Sequence, residues 1–222
     1  MIIFVRNSFK TKVCGITRTE DITFALQQGA DYIGLIHYQK SPRFVNESQI
    51  KELIGHIPSS KRVYVNVSPS PKSLKKILSL GFDYYQIHFD PNIEIRLLQT
   101  WSSMVKPNRL WLAPRISKRE IFPEHILDLA DTVVLDTYDE KLYGGSGETG
   151  DWNTFRTLRE TYPHTQFILA GGLNVKNIDK AVSTSGTNFI DVNSGIEKTP
   201  GIKDHHAIEE LFSLISTFRK QY

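Results

Sequence analysis

The stretch "GADYIGL" (29–35) returns three more times in altered form, as "GFDYYQI" (81–87), "LADTVVL" (129–135) and "GTNFIDV" (186–192). Each phrase pairs a small-residue turn with Asp or Asn and then an apolar run with the look of a strand. The Asp or Asn positions, 31, 83, 131 and 188, are 52, 48 and 57 residues apart. A strand, a helix and two short loops take about 25 residues, so this spacing holds two βα units per phrase. Between the phrases lie four further strand candidates: "TKVCGI" (11–16), "RVYVNV" (62–67), "RLWLAP" (109–114) and "TQFILAGG" (165–172).

Helical apolar spacing separates these runs. It predicts helices over Glu20–Gln28 with Thr19 as N-cap, Glu47–His56, Pro71–Leu80, Asn92–Ser102, Asp151–Thr161, Asn174–Ser183 and Asp204–Arg219. Eight strands alternating with helices in 222 residues give an α/β fold, a (β/α)₈ TIM barrel, as one domain over residues 1–222. A doubly wound sheet is the alternative, but it normally uses fewer strands.

Composition narrows the function classes. A net charge of +3, with no basic block interleaved with aromatics, argues against a nucleic-acid partner. No apolar run approaches the roughly 18 residues of a membrane span, and "MIIFV" stops at Arg6, too short for a signal-peptide core. A single cysteine excludes an internal disulfide and a cysteine-rich metal site, so no metal is expected. The expectation is a cytoplasmic, soluble protein without membrane or nucleic-acid partners.

In a (β/α)₈ barrel the chemistry gathers at the C-terminal strand ends. The assignments above bring Cys14, the His37 region, Asn66, His88, Arg115, Asp136, Gly171–Gly172 and Asn193–Ser194–Gly195 to that face. Cys14 alone reads as a core residue, a metal ligand or an acid–base group. His88 reads as either a structural, hydrogen-bonded histidine or a catalytic one, the structural reading favoured, and Arg43 as a surface ion pair. "ILAGGLN" (168–174) puts two glycines before a helix expected to begin near Asn174, and "DVNSGIE" (191–197) adds Ser194 and Gly195 after strand eight. Two such turns on neighbouring strands suit a phosphate, which backbone N–H groups can approach closely where side chains are lacking. The long connection "DTYDEKLYGGSGETGDW" (136–152) has the length and glycine content of a lid.

"KVCGITRTED", "GADYIGLIHYQKSPRFV", "LDTYDEKLYGGSGETGDW", "ILAGGLN" and "DVNSGIEKTPGIKD" together resemble the phosphoribosylanthranilate isomerases of tryptophan biosynthesis, over about Lys12 to Asp204. The resemblance implies an Amadori rearrangement of N-(5-phosphoribosyl)anthranilate, a small phosphosugar, without a cofactor, by a monomer or homodimer. It implies Cys14 as general base and Asp136 as general acid. Arg43 would hold the anthranilate carboxylate, Gly171, Gly172, Ser194 and Gly195 the phosphate, and Asp191 the ligand hydroxyls. A thiol base must ionise, and Lys12, Arg18 and the nearby phosphate-binding turns are candidate sources of the positive potential that helps it. Asn66, Phe89, Leu112 and Asn193 depart from the usual family pattern and mark places where substrate fit could differ. Two other readings stand beside this one: a histidine-pathway sugar isomerase, which typically uses two Asp residues, and a phosphosugar-binding barrel without turnover.

Overall fold

The computed structural model describes residues 9–116, 121–136 and 151–221. Eight parallel strands close on themselves in sequence order: β1 (Lys10–Val13), β2 (Tyr32–Ile36), β3 (Arg62–Val67), β4 (Tyr84–Phe89), β5 (Leu110–Pro114), β6 (Thr132–Asp136), β7 (Gln166–Ala170) and β8 (Phe189–Val192). Closure falls between β8 and β1, with Lys12 opposite Asp191 and Val13 opposite Val192. The helices are α1 (Thr19–Gln28), α2 (Glu47–Leu53), α3 (Pro71–Ile77), α4 (Ile95–Val105), α5 (Trp152–Thr161), α6 (Ile178–Ser185) and α7 (His205–Gln221). A short hairpin, β9 (Glu197–Thr199) with β10 (Ile202–Lys203), follows β8. Between β5 and β6 the described residues hold a 3₁₀ turn, Glu124–Ile126.

Two of the repeated phrases have a plain structural purpose. Asp31 accepts a hydrogen bond from the Thr11 N–H at 2.8 Å, and Asp83 accepts one from the Arg62 N–H at 3.2 Å. Each carboxylate thus satisfies a backbone donor at the start of the preceding strand, at the barrel end away from the chemistry.

Some expected boundaries move. Cys14 lies just past β1, although its N–H still joins the ladder by donating to the Val192 carbonyl at 2.9 Å. Thr19 is the first residue of α1 rather than its cap; Arg18 takes that place without a side-chain capping bond. Helix α6 starts four residues later than Asn174. The Asn174 N–H donates to Asn177 Oδ1, and both amide side chains donate to the Gly172 carbonyl, so a bonded turn replaces the first helical turn.

Alternation along each strand divides the core in two. One set of buried residues, among them Tyr64, Ile87, Leu112, Leu135 and Leu169, packs outward against the helices. The other fills the barrel. At its N-terminal end Tyr32 meets Tyr84, Trp111 and Phe189 with ring centroids 5.2–5.4 Å apart, closing the bottom with aromatic edges and faces. Above this plug the same inward positions turn polar.

Candidate active site

The polar tier begins with Lys12, which is fully buried. Its ammonium donates to Asp191 Oδ2 at 2.6 Å and to Gln86 Oε1 at 2.8 Å. An ammonium can only donate, so the oxygen of Gln86 faces Lys12 and its amide NH₂ faces His88, 2.9 Å from Nε2. His88 Nε2 is therefore the acceptor, the ring is neutral, and its proton sits on Nδ1. Burial, then the positive charges of Lys12 and Arg115, push His88 down to about 4, in keeping with that tautomer.

Above the tier a cavity of about 270 Å³ opens at the C-terminal mouth. Its lining brings together Cys14, Asp136, Asp191, Gly171, Gly172, Ser194 and Gly195, all expected at the site from sequence, with His88 and Asn193. Cys14 is 3% exposed. Burial pushes its thiol up; Lys12 pulls it back down, Asp191 raises it further and Lys203 lowers it. The expected positive potential thus exists at Lys12 but is outweighed by desolvation. Arg18 does not contribute: it makes two bonds to Asp21, at 2.7 and 2.9 Å, and an ion pair to Glu20.

The loops after β7 and β8 meet closely. Gly171 and Gly172 have φ of 98° and 59°, in the left-handed region that suits glycine. At Gly195 a Cβ would overlap the Leu173 carbonyl oxygen and lie 2.8 Å from Asn174 Cβ, so loop contact itself demands glycine there. The N–H groups of Gly171, Gly172, Ser194 and Gly195 take no acceptor among the described residues. These four residues line the cavity, and unengaged donors there could hold an anion. The α6 N-terminus, displaced to Ile178, does not join them as the sequence suggested; the 3₁₀ turn Ser194–Ile196 stands there instead.

Arg43 sits outside the cavity lining. Its guanidinium binds Glu197 two-pronged, with Nε at 2.9 Å from Oε1 and Nη2 at 2.6 Å from Oε2. Glu197 also accepts from Lys203 Nζ at 2.9 Å, and Lys203 reaches on to Asn193 Oδ1 at 3.0 Å. Gly15, at φ 70°, makes room for this arrangement: a Cβ there would lie 2.6 Å from Arg43 Cδ. Arg43 is ion-paired, but not at the surface as the sequence suggested: the two side chains are 17% and 4% exposed, and the pair is anchored to the loop that lines the cavity.

Three of the four departures from the family pattern point away from the site. Phe89 and Leu112 are buried in the outer layer, and the Asn66 amide donates to Tyr64 Oη while its oxygen accepts the Val67 N–H. The expectation that Asn66 faces the mouth fails because it shares the outward parity of Tyr64. Asn193 alone of the four lines the cavity. Arg115 is exposed one residue beyond β5. Residues 137–150, which carry the expected lid, lie outside the described residues.

Sequence reading passed over Gln86, Glu197 and Lys203. Gln86 and His88 were legible as alternate residues of an inward strand face; Glu197 and Lys203 carried no such signal.

A closed (β/α)₈ barrel with a thiol, a carboxylate and candidate anion-holding residues around one mouth is the architecture of an acid–base enzyme. Residues 11–213 match the family model described as N-(5'phosphoribosyl)anthranilate (PRA) isomerase, and the chain belongs to that family. The N-(5'-phosphoribosyl)anthranilate isomerase of Aquifex aeolicus is 36% identical over 203 residues, covering 90% of this chain and 95% of the relative. A crystal structure of phosphoribosyl anthranilate isomerase in complex with reduced 1-(o-carboxyphenylamino)-1-deoxyribulose 5-phosphate superimposes with TM-score 0.73 at 25% identity, covering 94% of this chain and 98% of that one. Monomers derived from the dimeric enzyme of Thermotoga maritima give 0.72 at 27% identity over the same shares.

Proposed function

We propose that this barrel performs the isomerisation of its family with Cys14 as general base and Asp136 as general acid. The protein is a phosphoribosylanthranilate isomerase of tryptophan biosynthesis, an intramolecular aldose–ketose isomerase. Asp136 protonates the furanose ring oxygen of N-(5-phosphoribosyl)anthranilate, and the ring opens to an imine. The Cys14 thiolate removes the proton from the adjacent carbon, giving an enolamine. Tautomerisation to the ketone yields 1-(2-carboxyphenylamino)-1-deoxyribulose 5-phosphate. The substrate phosphate lies on the N–H groups of Gly171, Gly172, Ser194 and Gly195, and its hydroxyls meet Asp191. Arg43 takes the anthranilate carboxylate. These side chains act within one (β/α)₈ domain on a small-molecule phosphosugar, in the cytoplasm, in a monomer or homodimer. No helix among the described residues is long and apolar enough to cross a membrane.

The observation that supports this reading is the lining of one cavity by Cys14, Asp136 and four residues whose backbone N–H groups take no acceptor among the described residues. The second Asp typical of histidine-pathway isomerases is absent at the end of β1, where Cys14 stands. The deciding experiment measures steady-state turnover of freshly generated phosphoribosylanthranilate by the wild type, Cys14→Ser and Asp136→Asn. General acid–base groups contribute at least about 100-fold, so each variant should fall by that much. An active Cys14→Ser protein would remove the base assignment, and an inert wild type would favour a binding role.

A further inference from the structure

Of the buried charge pair beneath Cys14, Asp191 is assigned above to the substrate hydroxyls, while Lys12 has no role in the proposed steps. Lys12 precedes Cys14 by two residues and shares its inward parity, and the closure of the barrel sets it directly opposite Asp191. Glycine at position 34 on β2 is what admits the two side chains together. A Cβ there would sit 2.8 Å from Cys14 Sγ and 2.9 Å from Lys12 Cε, so thiol and lysine stem flank one point. Taking an ammonium out of water costs several kcal/mol before its partners offset it. Filling the barrel asks for no such charge, since Val63, Val134 and Ile168 fill neighbouring inward positions. Asp191 is also incompletely matched: its Oδ1 is buried with no hydrogen-bond partner among the described residues.

We propose that Lys12 is a positioning residue for the proton abstraction: its buried ammonium holds the Cys14 thiolate, and Asp191 acts as the opposing charge. This rests on Cys14 being the base. The other charged or titratable groups facing the thiol are Lys203 of β10, Arg43 of the loop after β2, and, around the cavity, Asp136 and His88. Lys203 and Arg43 are both bound by Glu197, and His88 is kept neutral by burial, then by Lys12 and Arg115. Lys12 is the cation adjacent on the same strand. After burial it exerts the largest influence on the thiol, with Asp191 opposing it.

Because the chain has one cysteine, ¹³Cβ-cysteine labelling gives one resonance whose pH titration reads Cys14 directly. Lys12→Met should move the midpoint up by at least about one unit, a tenfold loss of thiolate below the midpoint. Asp191→Asn should move it down. A packing defect would not produce shifts of opposite sign. The thiolate limb of the kcat/KM profile should move with each midpoint. If Lys12→Met does not fold, the double variant Lys12→Met/Asp191→Asn, which buries no unpaired charge, should titrate above Asp191→Asn alone. An unchanged midpoint in Lys12→Met, or shifts of one sign in both single variants, overturns the role of Lys12 even where Cys14→Ser is inactive. Full turnover in Cys14→Ser instead overturns the base reading beneath it.

Discussion

Arg43 and Glu197, 154 residues apart in sequence, form a two-pronged ion pair in which Arg43 Nη2 stands 2.6 Å from Glu197 Oε2. The pair ties the loop after β2 to the hairpin after β8. Glu197, held below its ordinary value by Arg43 and Lys203 despite burial, is ionised across the neutral range. If Arg43 anchors the substrate carboxylate, Glu197 fixes the plane of the guanidinium. Arg43→Lys, which keeps charge but loses the fork, should raise KM by about 10-fold or more, the scale of one charge-assisted hydrogen bond. Glu197→Gln should raise KM less. Steady-state kinetics on both variants checks the order.

The contact between the loops after β7 and β8 makes position 195 intolerant. Gly195→Ala brings a methyl group against the Leu173 carbonyl and Asn174. Overpacking of this kind costs about 1–3 kcal/mol, and separating the loops disperses the donor cradle. The expected result is a lower Tm together with weaker competitive inhibition by inorganic phosphate. A variant that lost Tm but kept its phosphate Ki would remove the cradle.

His88 gives stability a pH dependence of definite sign. Burial, then Lys12 and Arg115, disfavour the imidazolium and push His88 down to about 4 in the folded protein, against 6.5 for an ordinary imidazole. The unfolded chain therefore binds the extra proton first, and stability drops as pH falls from about 6.5 to 4. The full shift corresponds to at most about 3 kcal/mol. Urea unfolding of wild type and His88→Gln across this window should show the steeper loss in the wild type.

The outward-facing departures should affect stability rather than substrate fit. Phe89 is 1% exposed, and its ring meets Trp101 at 6.3 Å. Phe89→Ala should cost about 3–5 kcal/mol with KM unchanged in the folded protein. Asn193→Ser, at the one departure that lines the cavity, should change KM. Thermal unfolding paired with kinetics separates the two effects.

Much of the fold was legible because a barrel built of repeated βα units needs only local signals. Alternating apolar runs gave the strands, and the turns before them gave the period. "RVYVNV" coincides with β3 from Arg62 to Val67. Misplaced boundaries fall where side chains compete with the backbone, as at Asn174 and Asn177, whose amides build a turn where helical spacing suggested a helix. Asn66 was misread because the direction of a strand's last residues depends on which parity the closed barrel turns inward.

By itself the sequence determined the strand–helix alternation, the order of the strand ends and therefore the arrival of Cys14 and Asp136 at one face. Those are consequences of local pattern and topology. The tertiary structure alone decided what surrounds them. Lys12 and Asp191 are 179 residues apart and meet only because β8 closes on β1. Arg43 finds Glu197 for the same reason, and Gly34 opens the space for lysine and thiol through the pairing of β2 with β1. Such contacts depend on register across the closure and on the volume left between side chains, and neither quantity is written in any one stretch of chain.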